Sequence, residues 1–351
     1  MRIHSVEEKA LARALHAYSA TDMHTAGEPV RLFTGGLPRL TGDTLLAKRR
    51  DAMERHDYVR RHLMLEPRGH SAMYGVWPLE PHLPEAALAV LFTHNEGYST
   101  MCGHATIALG RWVIDQGLVA VRCPQTKFVL ECPCGPVSVS VDVDEAGRPG
   151  QAHFAITGAR ATLLDAQISV PEIGKINIDV AYGGAYYAIV PASRMGLNLF
   201  ETPYERLVTT ANKITEAARE QLDIVHPVAP ALGFLYGTIL TDDAPAGVDA
   251  PSYNLCTFGG GQVDRSPTGS GVAARLALDF AKGKALPGLK RQFRGISGVG
   301  FAGELMEADE TGVTVQVAGQ GFYVGCARFW VERDDPLADG FTVPDVISPD
   351  I

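Results

Sequence analysis

Two short segments hold the residues best suited to chemistry. The first is Thr100-Met101-Cys102-Gly103-His104-Ala105-Thr106-Ile107-Ala108-Leu109-Gly110, and the second is Asp264-Arg265-Ser266-Pro267-Thr268-Gly269-Ser270-Gly271-Val272-Ala273-Ala274. Aligning Cys102 with Thr268 puts Gly103 over Gly269 and His104 over Ser270, and an apolar run of small residues follows each. Such a run predicts a tightly packed, buried helix with the polar residues at its N-terminus. A helix N-terminus offers unpaired N–H groups and partial positive charge, so it binds anions and lowers the pKa of a thiol placed there. Cys102 then qualifies as a base, and Gly103 and Gly269, lacking a Cβ, let a ligand come close to the backbone. Two such ends facing across a cleft would cradle one carboxylate and stabilise charge developing at the adjacent α-carbon. His104 and Asp264 are polar groups able to hold an amine or imine. Each residue also has a plain structural reading: a buried core cysteine, a hydrogen-bonded histidine, and helix caps at Asp264, Thr268 and Ser270. The repetition, about half the chain apart, favours chemistry and suggests two related halves.

The elements that must position these segments read mostly as strands. Ala87–Phe92, Lys127–Glu131, Val137–Val143, Tyr186–Val190, Leu232–Leu240, Gly312–Val317 and Phe322–Val324 have the short lengths of strands, and Val137–Val143 the alternation of a half-buried one. Leu45–Leu65, ending before Pro67, predicts one amphipathic surface helix, and Glu201–Arg219 another. A chain of 351 residues with 46% hydrophobic and 20% charged residues is globular and long enough for two cores. Its net charge of -9 supplies no general field for nucleic acid or anionic membrane. No apolar run approaches the roughly 20 residues of a membrane span, and the charged first residues do not read as a signal peptide, so a cytoplasmic location is expected. The six cysteines are sparse, and disulfides are not expected in such a compartment. Cys132-Pro-Cys134 lacks the second Cys/His pair of a zinc site, so no metal is assigned. HExxH, GxSxG and a P-loop ending in Gly-Lys-Ser/Thr are absent.

Three motifs resemble the proline racemase family, which includes hydroxyproline 2-epimerases and trans-3-hydroxy-L-proline dehydratases. They are Asp22-Met23-His24-Thr25-Ala26-Gly27-Glu28-Pro29-Val30-Arg31, Met101-Cys102-Gly103-His104 and Asp264-Arg265-Ser266-Pro267-Thr268-Gly269-Ser270-Gly271. Tyr182-Gly183-Gly184-Ala185-Tyr186-Tyr187-Ala188 is similar to the opening of the family's second half. The resemblance implies an α+β fold of two pseudo-symmetric halves, each a curled β-sheet or barrel around a central helix, like diaminopimelate epimerase. The halves are expected at 1–176 and 177–334, with the tail from about 335 to 351 packing back on the first. The resemblance further implies a site between the two helix N-termini, no cofactor, a small imino-acid substrate and homodimers. It places Cys102 as the thiolate base, Gly103 and His104 on one side of the substrate carboxylate, and Gly269 and Ser270 on the other. His104 and Asp264 take the ring nitrogen, and Phe258 walls the ring. Asp22–Arg31 is read as shaping the first strand and turn without catalysis, with His24 structural.

One departure from the racemase pattern bears on the reaction. Family members that invert a stereocentre carry a second cysteine where this chain has Thr268. An unactivated hydroxyl is too weak an acid to be a base near neutral pH, so two-base inversion is disfavoured. Dehydration of trans-3-hydroxy-L-proline needs one base, because its hydroxyl and its α-hydrogen lie on the same ring face. The expectation is therefore a hydro-lyase giving pyrroline-2-carboxylate, with Cys102 taking the α-proton and Thr268 filling the second position. The alternatives are an epimerase or racemase with a non-cysteine second acid, and a non-catalytic imino-acid-binding relative.

Overall fold

The structure, a computed structural model, describes residues 11, 13–227, 233–242, 244, 250–258 and 261–343. The Leu232 start of one expected strand and the 344–351 end of the expected tail lie outside the described residues. Strands β1 (Ala14–Thr25) and β2 (Glu28–Gly35) form a hairpin whose two turn residues, Ala26 and Gly27, both have positive φ. A two-residue turn of that hand matches the right-handed twist of the strands it joins. The predicted helix at 45–65 is two helices: α1 (Leu45–Arg55), N-capped by the Thr44 hydroxyl, and α2 (Asp57–Met64). The break falls at His56, and Asp57 opens α2 with its carboxylate gripped by Arg60 at 2.7 Å through both oxygens. An acidic residue in the first turn favours a fresh helix start there.

The chain continues through β3 (Tyr74–Leu79), β4 (Ala86–His94) and β5 (Gly97–Ser99) into helix α3 (Gly103–Asp115). Then come β6 (Gln125–Cys132), β7 (Gly135–Val143), the 22-residue β8 (Pro149–Val170), β9 (Gly174–Tyr182) and β10 (Tyr186–Pro191). Helix α4 (Tyr204–Gln221) precedes β11 (Leu235–Thr241), β12 (Ser252–Phe258) and β13 (Gln262–Asp264), which lead into helix α5 (Gly269–Ala281). Strands β14 (Lys290–Arg294), β15 (Gly300–Asp309), β16 (Gly312–Gly319) and β17 (Gly321–Glu332) complete the described fold. The fold is α+β, with seventeen strands and five α-helices among the described residues.

Helices α3 and α5 are each 13 residues long and buried on nearly every side. A helix apolar all round must be enclosed, and the curled sheet encloses both. Strand β8 serves both helices: its first part pairs with β7 and β16, its second with β9, and α3 and α5 both pack on it. β17 pairs with β1 from Thr25 back to Ala14, and one core cluster holds residues from Met23 to Ile156 together with Val272 to Val317. Sheet and core thus run across the expected 176/177 division, and the chain has returned to its first strand ahead of residue 335. Phe341 adds one bridge, to Glu66. No helix among the described residues is long and apolar enough to cross a membrane.

The first motif is held by its own pairs. His24 Nδ1 accepts the Gly27 N–H at 3.3 Å, and its ring stacks on Phe322. Arg31 on β2 grips both Asp22 carboxylate oxygens on β1 at 2.9 Å, donates to the carbonyls of Leu63 and Arg68, and lies over the Phe329 ring. Its side chain is nearly buried, so removing it strands a carboxylate and two carbonyls. Arg31→Ala should cost about 3 kcal/mol of unfolding free energy. Chemical denaturation checks this, and a loss below about 1 kcal/mol would mean that the pair is not structural.

Candidate active site

The two repeated segments meet. A Cβ placed on Gly103 would lie 3.3 Å from the Gly269 Cα, and one on Gly269 would lie 3.4 Å from the Gly103 Cα. The ring tip of Phe154, on β8, would sit 3.0 and 3.3 Å from those two Cβ positions. The N-termini of α3 and α5 therefore touch, over one shared phenylalanine, and a side chain at either position would be crowded. Cys102 and Thr268 are the N-cap residues; the Thr268 hydroxyl does not cap its helix, and the Cys102 sulfur takes only the Ala105 N–H. The N–H groups of Gly103, His104, Gly269 and Ser270 thus have no side-chain cap to share them.

Around this contact the side chains are dry. Cys102, His104, Asp264 and Thr268 are 8, 7, 6 and 6% exposed. Cys102 Sγ lies 3.1 Å from His104 Nδ1. Burial pushes the His104 ring down to about 3, so it is neutral, and the ring also bonds the Pro29 carbonyl. An N–H spent on Pro29 leaves the other ring nitrogen as the acceptor for the thiol. The Thr25 hydroxyl donates to the His104 carbonyl at 3.0 Å, fastening the first motif to α3.

The thiol's acidity differs from the sequence expectation. Burial raises the Cys102 pKa, and the carboxylates of Asp264 and Glu28 raise it further, while the Ala105 N–H and the Tyr74 hydroxyl pull it down. Desolvation outweighs the helix end because the thiolate would lose water and face two carboxylates.

On the second helix, Thr268 has φ +64°, rare for a β-branched residue. Its neighbours fix it there: the hydroxyl donates to Asp264 Oδ2 at 2.8 Å and its N–H to Ser266 Oγ at 3.1 Å. Asp264 Oδ1 accepts the Ser266 N–H at 2.8 Å, and Asn254 holds the Pro267 carbonyl. Burial raises the Asp264 pKa against these bonds. The Ser270 hydroxyl turns to the buried Tyr187 hydroxyl at 2.7 Å. Phe258 is half-buried and stacks on Tyr236, with ring centroids 5.6 Å apart. Tyr236 is the ring near enough to Cys102 and Asp264 to feel their charges.

The structure brings Cys102, Gly103, His104, Asp264, Thr268, Gly269 and Ser270 together, with Phe258 joined through Tyr236. It adds Glu28, which sequence analysis reads with a non-catalytic segment. Glu28 is 1% exposed, accepts the Arg265 N–H at 2.8 Å, and faces the Arg265 guanidinium at 3.6 Å. Its carboxyl is held well above the usual range by burial and by Asp264. A lone glutamate at a hairpin turn gives no sequence signal of this; only the return of β1 and β2 past α5 reveals it. Tyr74, whose hydroxyl bonds Ser99 and reaches Cys102 and whose ring edge meets His104, is also absent from the sequence expectations.

Residues 20–342 match the protein family described as Proline racemase. The chain is 46% identical over 331 residues to the trans-3-hydroxy-L-proline dehydratase of Homo sapiens, covering 92% of this chain and 94% of that one. It is 38% identical over 327 residues to the trans-3-hydroxy-L-proline dehydratase of Colwellia psychrerythraea, covering 92% of each. Among solved structures, a hydroxyproline epimerase from Agrobacterium vitis with bound trans-4-hydroxy-L-proline superposes with TM-score 0.85 at 27% identity, over 95% of this chain and 97% of that one.

The Glu28 geometry has a consequence for pH. Glu28 faces Asp264, Arg265 and Cys102, and its charge also reaches Tyr204 and Cys256. Removing a negative charge lowers the pKa of every acid beside it. Glu28→Gln should therefore move the pH profile of the site, read as the rate of Cys102 alkylation by iodoacetamide, to lower pH. A profile that stays in place or moves up would remove Glu28 from the site's electrostatics.

Proposed function

The chain belongs to the proline racemase family, and on that premise we propose that it dehydrates trans-3-hydroxy-L-proline to pyrroline-2-carboxylate, with Cys102 as the one base. The observation that carries this reading is the Thr268 hydroxyl, which donates to buried Asp264 at the helix end where inversion needs a second thiol. That proton is committed to a carboxylate, so Thr268 serves to hold Asp264 and the loop and does not exchange protons with Cα. Cys256 does contact Thr268, but it is wholly buried in β12 and burial raises its pKa. The relatives named as trans-3-hydroxy-L-proline dehydratases cover nearly the whole chain and support the same reaction.

In this reading the substrate carboxylate lies between the N–H groups of Gly103 and His104 on one side and Gly269 and Ser270 on the other. The cationic ring nitrogen sits against Asp264 and His104 Nδ1. Its positive charge offsets the carboxylates that hold the thiol up, so the thiol gives up its proton to water as the substrate enters and the thiolate is supported by Ala105 N–H and Tyr74 O–H. Cys102 then takes the α-proton, and the electron pair is stabilised by the two helix ends. The C3 hydroxyl, on the same ring face, receives that proton and leaves as water, and a C2–C3 double bond remains. The enamine tautomerises to the imine in solution.

Incubating the protein with trans-3-hydroxy-L-proline, trans-4-hydroxy-L-proline and L-proline, with chiral chromatography and an imine-reactive assay, tests the reading. Only the first should be consumed rapidly, giving the imine; inversion of the other two at a comparable rate would replace dehydration with epimerisation. Cys102→Ser should lower kcat by about 10³-fold or more with the fold intact, since a serine hydroxyl at that place is too weak an acid to supply the base. Retention of a tenth of the turnover would remove Cys102 from that role.

A further inference from the structure

Cys132 and Cys134 flank Pro133 in the tight turn between β6 and β7, where Cys132 pairs with Gly135. Both are free thiols two residues apart in one turn, close enough for each to act on the other's acidity. Cys132 points into the core cluster that also contains Cys102, close enough for the two sulfurs to feel each other's charge. Cys134 is exposed, and its N–H donates to the Thr100 carbonyl at 3.2 Å, two residues ahead of Cys102. The turn is thus fastened to the segment that sets Cys102 at the head of α3. Among the described residues no group of three or more His, Cys, Asp or Glu gathers there to complete a metal site. We propose that Cys132 and Cys134 form a redox-modification site: a hydroperoxide converts the pair to a disulfide, which displaces Thr100–Cys102 and reversibly lowers turnover.

The steps balance. The Cys134 thiolate attacks one peroxide oxygen; an S–O bond forms, the O–O bond breaks, and water or an alcohol leaves after protonation. The Cys132 sulfur then attacks the Cys134 sulfenic sulfur; the S–S bond forms, the S–O bond breaks, and the hydroxide leaves as water with the Cys132 proton. Two sulfurs lose two electrons in total and the peroxide gains them. Hydrogen bonding from Cys132 lowers the Cys134 pKa, which favours the exposed sulfur as the attacking one. Closing two unbonded sulfurs to a bond of about 2.05 Å must move the turn. That movement acts on the Cys134–Thr100 bond, and a shift near 1 Å at a reacting group costs on the order of 100-fold.

The effect on turnover rests on Cys102 as the base, whereas the disulfide itself does not. The experiment treats the whole protein with hydrogen peroxide, with pyrrole-2-carboxylate present to shield Cys102. Peptide mass spectrometry then follows the segment around 132–134, and dehydration is assayed before and after dithiothreitol. The expected result is a 2 Da loss in that peptide, a fall in turnover of about tenfold or more that dithiothreitol restores, and a Cys134→Ser variant with wild-type basal turnover that resists peroxide. Cys134→Ala serves equally should the serine variant fold poorly. Equal peroxide inactivation of wild type and variant, a disulfide that leaves turnover unchanged, or no disulfide at an inactivating dose would each overturn the proposal. If the reduced wild type shows no dehydration while the disulfide forms, the functional reading fails and the modification site is confined to the thiols.

Discussion

Everything at the site depends on the contact between Gly103 and Gly269. Two buried helix N-termini in van der Waals contact put two sets of backbone donors on one small volume, and any side chain at either position would meet the opposite backbone and the Phe154 ring. The constraint reaches outward. Both helices must be apolar on nearly all sides, both must be enclosed by sheet, and a single strand, β8, must run long enough to support both and to supply the phenylalanine beneath them.

The electrostatics complement this geometry. Backbone donors attract an anion, while Asp264 and Glu28, both buried, attract a cation beside it. A ligand carrying a carboxylate next to a positively charged nitrogen satisfies both, and a simple anion or a simple amine satisfies only one. The same carboxylates raise the Cys102 pKa, and in the proposed mechanism the cationic nitrogen of the substrate offsets them.

The sequence made the chemistry legible before the architecture. Cys102, Gly103, His104, Asp264, Thr268, Gly269 and Ser270 stand in two local motifs, so their types and spacing suffice to find them. The first strand and turn are foreseen around Asp22–Arg31, but not that β1 is closed on its far side by β17, far away in the chain. The helix expected at 45–65 breaks because Asp57 and Arg60 start a new helix, a pair too ordinary to flag from spacing. Glu28 and Tyr74 reach the site only through tertiary packing. The thiol pKa departs from the sequence expectation because a helix end is a local feature, whereas burial and two distant carboxylates are not.

The central claim is one base on one ring face. Its most direct measurement is the exchange of the α-hydrogens of L-proline and D-proline with deuterium oxide, followed by proton NMR on the wild-type protein. The account predicts that L-proline, whose α-hydrogen faces Cys102, gains deuterium with its configuration retained, and that D-proline, whose α-hydrogen faces Thr268, does not. Exchange of both isomers at comparable rates would require a second base opposite Cys102 and would contradict the account.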